Sequence, residues 1–150
     1  MSRAIDWFVY CLRHYATFKG RASRSEFWWF YLVVLIGIGA TYALRLIAPV
    51  AAHAIRDLWD LLLALPHLAV TTRRLHDVGR SFWWVAAFLT DFALVLLFEL
   101  SNAVDSLATT ILGLLAIVAL FALLIILLYL LVISGDPKPN RYGDPPSHTL

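Results

Sequence analysis

Cysteine is almost absent from this 150-residue chain. Cys11 is the single one, which excludes an intrachain disulfide and a structural zinc site built on paired thiolates. Charge is scarce as well: charged residues make up 15% of the chain, against about 25% in a soluble domain. No HExxH helix, phosphate-cradling P-loop or paired-cysteine metal motif is present. Residues 1–19 do not read as a secretory signal, because Arg13, His14 and Lys19 interrupt them and no apolar core or small-residue cleavage site follows. What the chain has instead is apolar side chain, at 61% of residues with a mean hydropathy of +0.78. A chain of this length has too high a surface-to-volume ratio to hide that much apolar surface from water. The bilayer is the expected solvent, and Cys11 reads as a small buried residue.

Helical periodicity divides the chain. Ile5, Phe8, Leu12 and Tyr15 recur at helical spacing, and Trp7, Cys11 and Phe18 widen the stripe. This predicts an amphipathic helix over 1–19 lying in the membrane interface. Residues 27–48 form an apolar run with one charge, Arg45, and residues 107–133 carry none. Either is long enough for a hydrocarbon core that takes about 20 helical residues. Residues 82–100 also suffice in length, although Asp91 and Glu99 lie within them. The stretch before Arg73 reaches spanning length only if its helix starts near Val50, just after Pro49. It would then contain Arg56, Asp57 and Asp60 near one end and Pro66 as a kink. A span over 50–72 is expected there, with a re-entrant segment as the alternative. Residues 134–150 are rich in Pro, Gly and Asp and read as an irregular tail.

Lys and Arg accumulate in cytoplasmic loops, which gives the spans a direction. With the amino terminus inside, Arg3, Arg13, Lys19, Arg21 and Arg24 precede span one. Arg73, Arg74 and Arg80 join spans two and three, and Lys138 and Arg141 follow span four. Ten of the twelve basic residues are then cytoplasmic, leaving Arg45 and Arg56 outside. The expected fold is therefore all-α: one membrane domain of four transmembrane helices with an interfacial amino-terminal helix and both termini in the cytoplasm.

A short repeat runs through the same regions. Arg24-Ser25-Glu26-Phe27-Trp28-Trp29 is similar to Arg80-Ser81-Phe82-Trp83-Trp84, and a Gly-Arg pair stands at Gly20-Arg21 and at Gly79-Arg80. Both copies open odd-numbered spans. Either they mark two related hairpins, or each meets one requirement, arginine at phosphates and tryptophan at headgroup level. The block from Gly20 to Phe30 resembles the opening signature of the bacterial domain-of-unknown-function family 805, the YhaH-like inner-membrane proteins. Arg73-Arg74-Leu75-His76-Asp77-Val78-Gly79-Arg80-Ser81 resembles its second signature, and Asn140-Arg141-Tyr142-Gly143-Asp144-Pro145 its closing motif. Phe82 departs from the small residue usual before the tryptophans. The resemblance implies a multi-pass protein of the bacterial inner membrane, and it brings no catalytic residues.

Two groups of residues could carry function. The first is a cytoplasmic rim of Arg21, Arg24, Arg73, Arg74 and Arg80 with His76, Trp28, Trp83, Asn140 and Tyr142. Planar guanidinium forks suit phosphate, so the rim could hold anionic lipid headgroups or a protein partner. The competing reading is that the arginines fix topology and pair with Glu26 and Asp77. The adjacent His76-Asp77 invites an acid–base reading, but neighbouring side chains on a helix diverge. The second group lies inside the helices. Asp91 and His67 fall about 14 Å and 9 Å from the cytoplasmic side, and Arg45 and Glu99 each about 26–27 Å. Each pair could meet, as a proton or cation path or as a structural hydrogen bond. No cofactor, metal or nucleic-acid partner is expected. The partners expected are membrane lipids and, through association, a further copy or another membrane protein. The leading functional reading is non-enzymatic. A small transporter or channel subunit is the alternative, and a membrane enzyme acting on a lipid phosphate is the third.

Overall fold

A computed structural model describes residues 3–100 and 107–146, without the side chains at 98–100 and 107–108. Among these residues the chain is all-helical, with α1 (Arg3–Arg13), α2 (Arg24–Leu44), α3 (Pro49–Asp77), α4 (Trp83–Leu100) and α5 (Leu107–Val132). The chain divides into two compact units. The first comprises Met1–Gly79 with Ser134–Leu150, and the second Arg80–Ile133.

In the first unit α2 and α3 form an antiparallel hairpin. Ser23 starts α2 by accepting a hydrogen bond from the Glu26 backbone N–H at 3.1 Å, the Ser-x-x-Glu arrangement that satisfies an orphan donor of the first turn. Pro49 starts α3, where its missing N–H costs nothing and its φ is already helical. The two helices approach closely where Gly37 faces Trp59: a Cβ at Gly37 would collide with the indole. Helix α1 covers this hairpin. Its Trp7 and Cys11 are buried, and Phe8 stacks on Phe30 and Trp59 with centroids 5.5 and 6.2 Å apart. Ile5, Tyr15 and Phe18 stay exposed, so the predicted stripe divides between the protein and its surroundings.

Two boundaries differ from the sequence expectation. The helix predicted over 1–19 ends at Arg13, and residues 14–23 form turns and extended chain that reach α3, with Ala22 N–H donating to the Arg73 carbonyl at 3.0 Å. That bond fixes the segment as a strap rather than further helix. Helix α3 runs five residues past the expected end at 72, so Arg73 to Asp77 belong to a helix and not to a loop. Burial explains this: from Ala69 to Asp77 every residue is buried. At 29 residues α3 is about 44 Å long, more than a hydrocarbon core needs.

The second unit is the α4–α5 hairpin. Its helices are apolar around their circumference, and Leu94, Leu97, Leu112, Leu114, Val118 and Phe121 are among many large side chains left exposed. A helix hydrophobic all round needs protein or lipid on every side. Two described helices are long and apolar enough to cross a membrane, Arg24–Leu44 and Thr109–Val132, and Trp83–Leu97 is a shorter apolar helix. The charges Arg56, Asp57 and Asp60 interrupt the apolar character of α3.

Candidate functional site

The carboxyl-terminal end of α3 carries a buried polar knot. Asp77 is its centre. One carboxylate oxygen accepts from Arg21 Nε at 2.9 Å and pairs with Arg21 Nη2 at 2.8 Å; the other pairs with Arg74 Nη1 at 2.5 Å. Arg21 is held further by backbone oxygens, donating to the carbonyls of Lys138 (2.8 Å), Gly143 (3.4 Å) and Asp136. Its side chain is 1% exposed, and that of Arg74 is fully buried. A guanidinium carries five donors in a rigid fork, so burying it demands this many acceptors. Gly135 fits against Asp77 only because it lacks a Cβ, which would overlap the carboxylate.

A second ion pair lies beside the first. Arg73 Nη1 meets Glu26 Oε1 at 2.6 Å with both side chains buried, and Cys11 donates its thiol proton to the same oxygen at 3.8 Å. Burial, with the Glu26 carboxylate adding to it, pushes the Cys11 thiol up to about 12. Arg73 Nε and Nη2 are buried without a hydrogen-bond partner.

The tail closes over the knot. Asn140 and Gly143 bond to each other's backbone, and Asn140 Oδ1 accepts from the Tyr142 N–H at 2.9 Å, a side-chain-stabilised turn. Gly143 sits at φ +123°, a conformation that favours glycine. The turn places Tyr142 flat on the His76 ring, with centroids 3.7 Å apart and planes 5° from parallel. Asn140 Nδ2 donates to the His76 carbonyl at 2.9 Å, and Arg141 donates to the Gly79 carbonyl at 3.2 Å while lying over Tyr142. The Gly20 carbonyl can only accept, so His76 Nδ1, 3.1 Å away, carries the proton. Burial holds His76 below its ordinary pKa; the Gly20 bond opposes that and Arg141 assists it. The His76 ring is thus stacked with its Nδ1 on the Gly20 carbonyl, while both Asp77 carboxylate oxygens are engaged by arginines.

The structure thus sorts the predicted rim. Arg21, Arg73, Arg74, His76, Asn140 and Tyr142 come together, but as an internal network. The three arginines are buried against carboxylates and offer no guanidinium face to an external phosphate, because a charge removed from water needs a partner inside. Arg24, Trp28, Arg80 and Trp83 are exposed; Arg80 lies over Trp84 at 5.8 Å. The sequence reading missed Asp136 and the Cys11–Glu26 contact. The Asn140-to-Gly143 spacing was a turn signal that could have foretold an ordered tail.

The residues expected inside the membrane fall in both units. His67 lies against Tyr31 (5.2 Å between centroids) and lines a cavity of about 340 Å³ between α2 and α3, with Asp60 on the same wall. Arg45 forms the carboxyl-terminal cap of α2. Asp91, on α4, has one carboxylate oxygen buried without a partner. The Glu99 side chain lies outside the described residues, and the expected pairs His67–Asp91 and Arg45–Glu99 each divide between the two units. Among the described residues no group of three or more His, Cys, Asp or Glu is placed to hold a metal ion.

Long apolar helices with large apolar side chains exposed along them define an α-helical membrane protein. The chain matches the model of a protein family of unknown function, DUF805, over residues 15–144, and it belongs to that family. It is similar to the inner membrane protein YhaH of Escherichia coli strain K12, 37% identical over 95 residues that span 59% of this chain and 76% of YhaH. It is equally similar to the inner membrane protein YhaI of that strain, 37% identical over 88 residues, with 59% of this chain and 75% of YhaI covered. No solved structure matches.

Proposed function

We propose that this protein is a non-enzymatic, four-span component of the inner membrane, with both termini cytoplasmic, whose cytoplasmic face engages anionic lipid headgroups. The observation that carries the reading is the sorting of its arginines. Those buried in the knot are paired with Glu26 and Asp77, whereas Arg24 and Arg80 are exposed at the starts of α2 and α4, each near an exposed tryptophan, Trp28 and Trp83. Arginine above tryptophan is the combination suited to a phosphate layer over an acyl boundary. Exposed Lys19, Lys138 and Arg141 add charge of the same sign.

Lipid retained through purification tests the reading. Replacing Arg24 and Arg80 by Gln is expected to reduce co-purified phosphatidylglycerol relative to phosphatidylethanolamine; unchanged retention would sink it. Reporter fusions after His53, Gly79 and Leu150 test the topology separately, and a periplasmic signal at either of the last two would overturn it. A second reading, a small transport or channel subunit, is favoured by the unpartnered carboxylate oxygen of Asp91. It requires proton or cation leakage through proteoliposomes that Asp91→Asn abolishes.

A further inference from the structure

The opposite end of the first unit carries a feature that neither the knot nor the rim uses. Arg45 and Arg56 are the two basic residues left outside the cytoplasmic set, and both line one cavity of about 90 Å³. The remaining walls are Thr41, Tyr42, Ala52 and His53. The last turn of α2 with its capping Arg45 supplies three of the six residues and the first two turns of α3 the others, so the tight 45–48 link makes the site.

We propose that this cavity binds the phosphate of an outer-leaflet anionic phospholipid. Charge gives the first argument. Setting Asp60, which accepts from Arg56 Nε at 2.6 Å, against the two arginines leaves the cluster at +1; the neighbouring Asp57 does not line the cavity. The Arg56–Asp60 pair is exposed and made through one nitrogen, an arrangement that contributes little and yields readily to a two-armed phosphate contact. His53 from α3 and the Tyr42 hydroxyl from α2 add further polar groups to the lining. The Thr41 hydroxyl is already donating to the Ile38 carbonyl at 2.7 Å, so it serves as a neutral wall.

The surroundings select a lipid over a free anion. Leu46, Ile47 and Val50, in and beside the link, are 88%, 86% and 84% exposed, more than any other large apolar side chain among the described residues. Three such side chains bordering a basic cavity match a molecule with a phosphate at one end and acyl chains at the other. At 21 residues, α2 rises about 32 Å from Arg24, which brings the link to the far boundary of the hydrocarbon, where such a phosphate lies. The outer position rests on the proposed topology; the binding itself does not.

Native mass spectrometry of the full chain in detergent, titrated with phosphatidylglycerol, tests the site. Wild type is expected to hold a lipid at this cavity. Replacing Arg45 and Arg56 together by Gln is expected to weaken that adduct roughly tenfold or more, the scale of a lost charge-assisted hydrogen bond, while Arg24→Gln and Arg80→Gln, each made alone, leave it in place. Replacing Arg45 and Arg56 together by Lys, which keeps the charge but not the fork, is expected to fall between, and so separates lost binding from a lost fold. An unchanged adduct in the Arg45/Arg56 glutamine variant overturns the site. Displacement of that lipid by millimolar inorganic phosphate overturns its assignment to a lipid.

Discussion

The two compact units of this protein are held together by different means. All four described ion pairs lie in the first, and three of them are buried at one end of α3. The second is a hairpin of two helices with apolar side chains exposed along its length. A buried ion pair contributes little net stability compared with apolar residues of the same shape, yet it is costly to break. The first unit therefore penalises wrong arrangements of its strap, helix and tail. The apolar hairpin has no such device among its described residues, and lipid contact does not favour one rotation of its helices strongly over another.

The largest effect expected from breaking this contrast is at Asp77. Asp77→Asn removes the carboxylate charge that Arg21 and Arg74 share, and removing one partner of a buried pair costs about 3–5 kcal/mol. Thermal unfolding in detergent should show the loss, and trypsin should cut rapidly after Arg141. Glu26→Gln should be nearly as damaging, since Arg73 already has two buried nitrogens without partners. The released Cys11 would then react with maleimide, whereas the folded protein should label only after denaturation. Gly37→Val is expected to cost about 1–3 kcal/mol by forcing the Trp59 indole away, read as a lower unfolding temperature with an intact tail.

The smallest effect should come from His76. Its pKa is lowered in the fold, so the neutral ring is favoured there. The stability this contributes is present above the unfolded value of about 6.5 and is lost as pH falls through the lower folded value. Tail cleavage should rise modestly between pH 7.5 and 5.5 in wild type, by an amount worth a fraction of a kcal/mol for a partly exposed ring. His76→Gln should flatten that pH dependence; an equally steep profile in the variant would remove His76 as its origin.

The helices were legible because their signals are local. The apolar runs, Pro49 and the Ser23–Glu26 cap each act within a few residues, and helices form where they stand. The knot was only half legible. Arg21, Arg73 and Arg74 read equally well as phosphate ligands or as partners of Glu26 and Asp77, because spacing along the chain does not say which carboxylates arrive from elsewhere. Arg21 meets Asp77 across 56 residues and the tail carbonyls across more than a hundred. The end of α3 was misjudged for the same reason. Arg73 to Asp77 read as a polar loop until the strap and the tail that bury them were in place.

Gly79 and Asp136, on either side of the inserted hairpin, lie next to one another: a Cβ on Gly79 would stand 3.3 Å from an Asp136 carboxylate oxygen. The chain leaves the first unit and rejoins it at one point. During synthesis, α1, α2 and α3 therefore emerge together with Arg21 and its Asp77 partner, but the carbonyls of Asp136, Lys138 and Gly143 arrive only after more than fifty further residues have been made. Until then Arg21 has its Asp77 partner but not those three carbonyl acceptors. Docking of the last few turns of sequence is the event that completes the first unit, after the second hairpin has been translated.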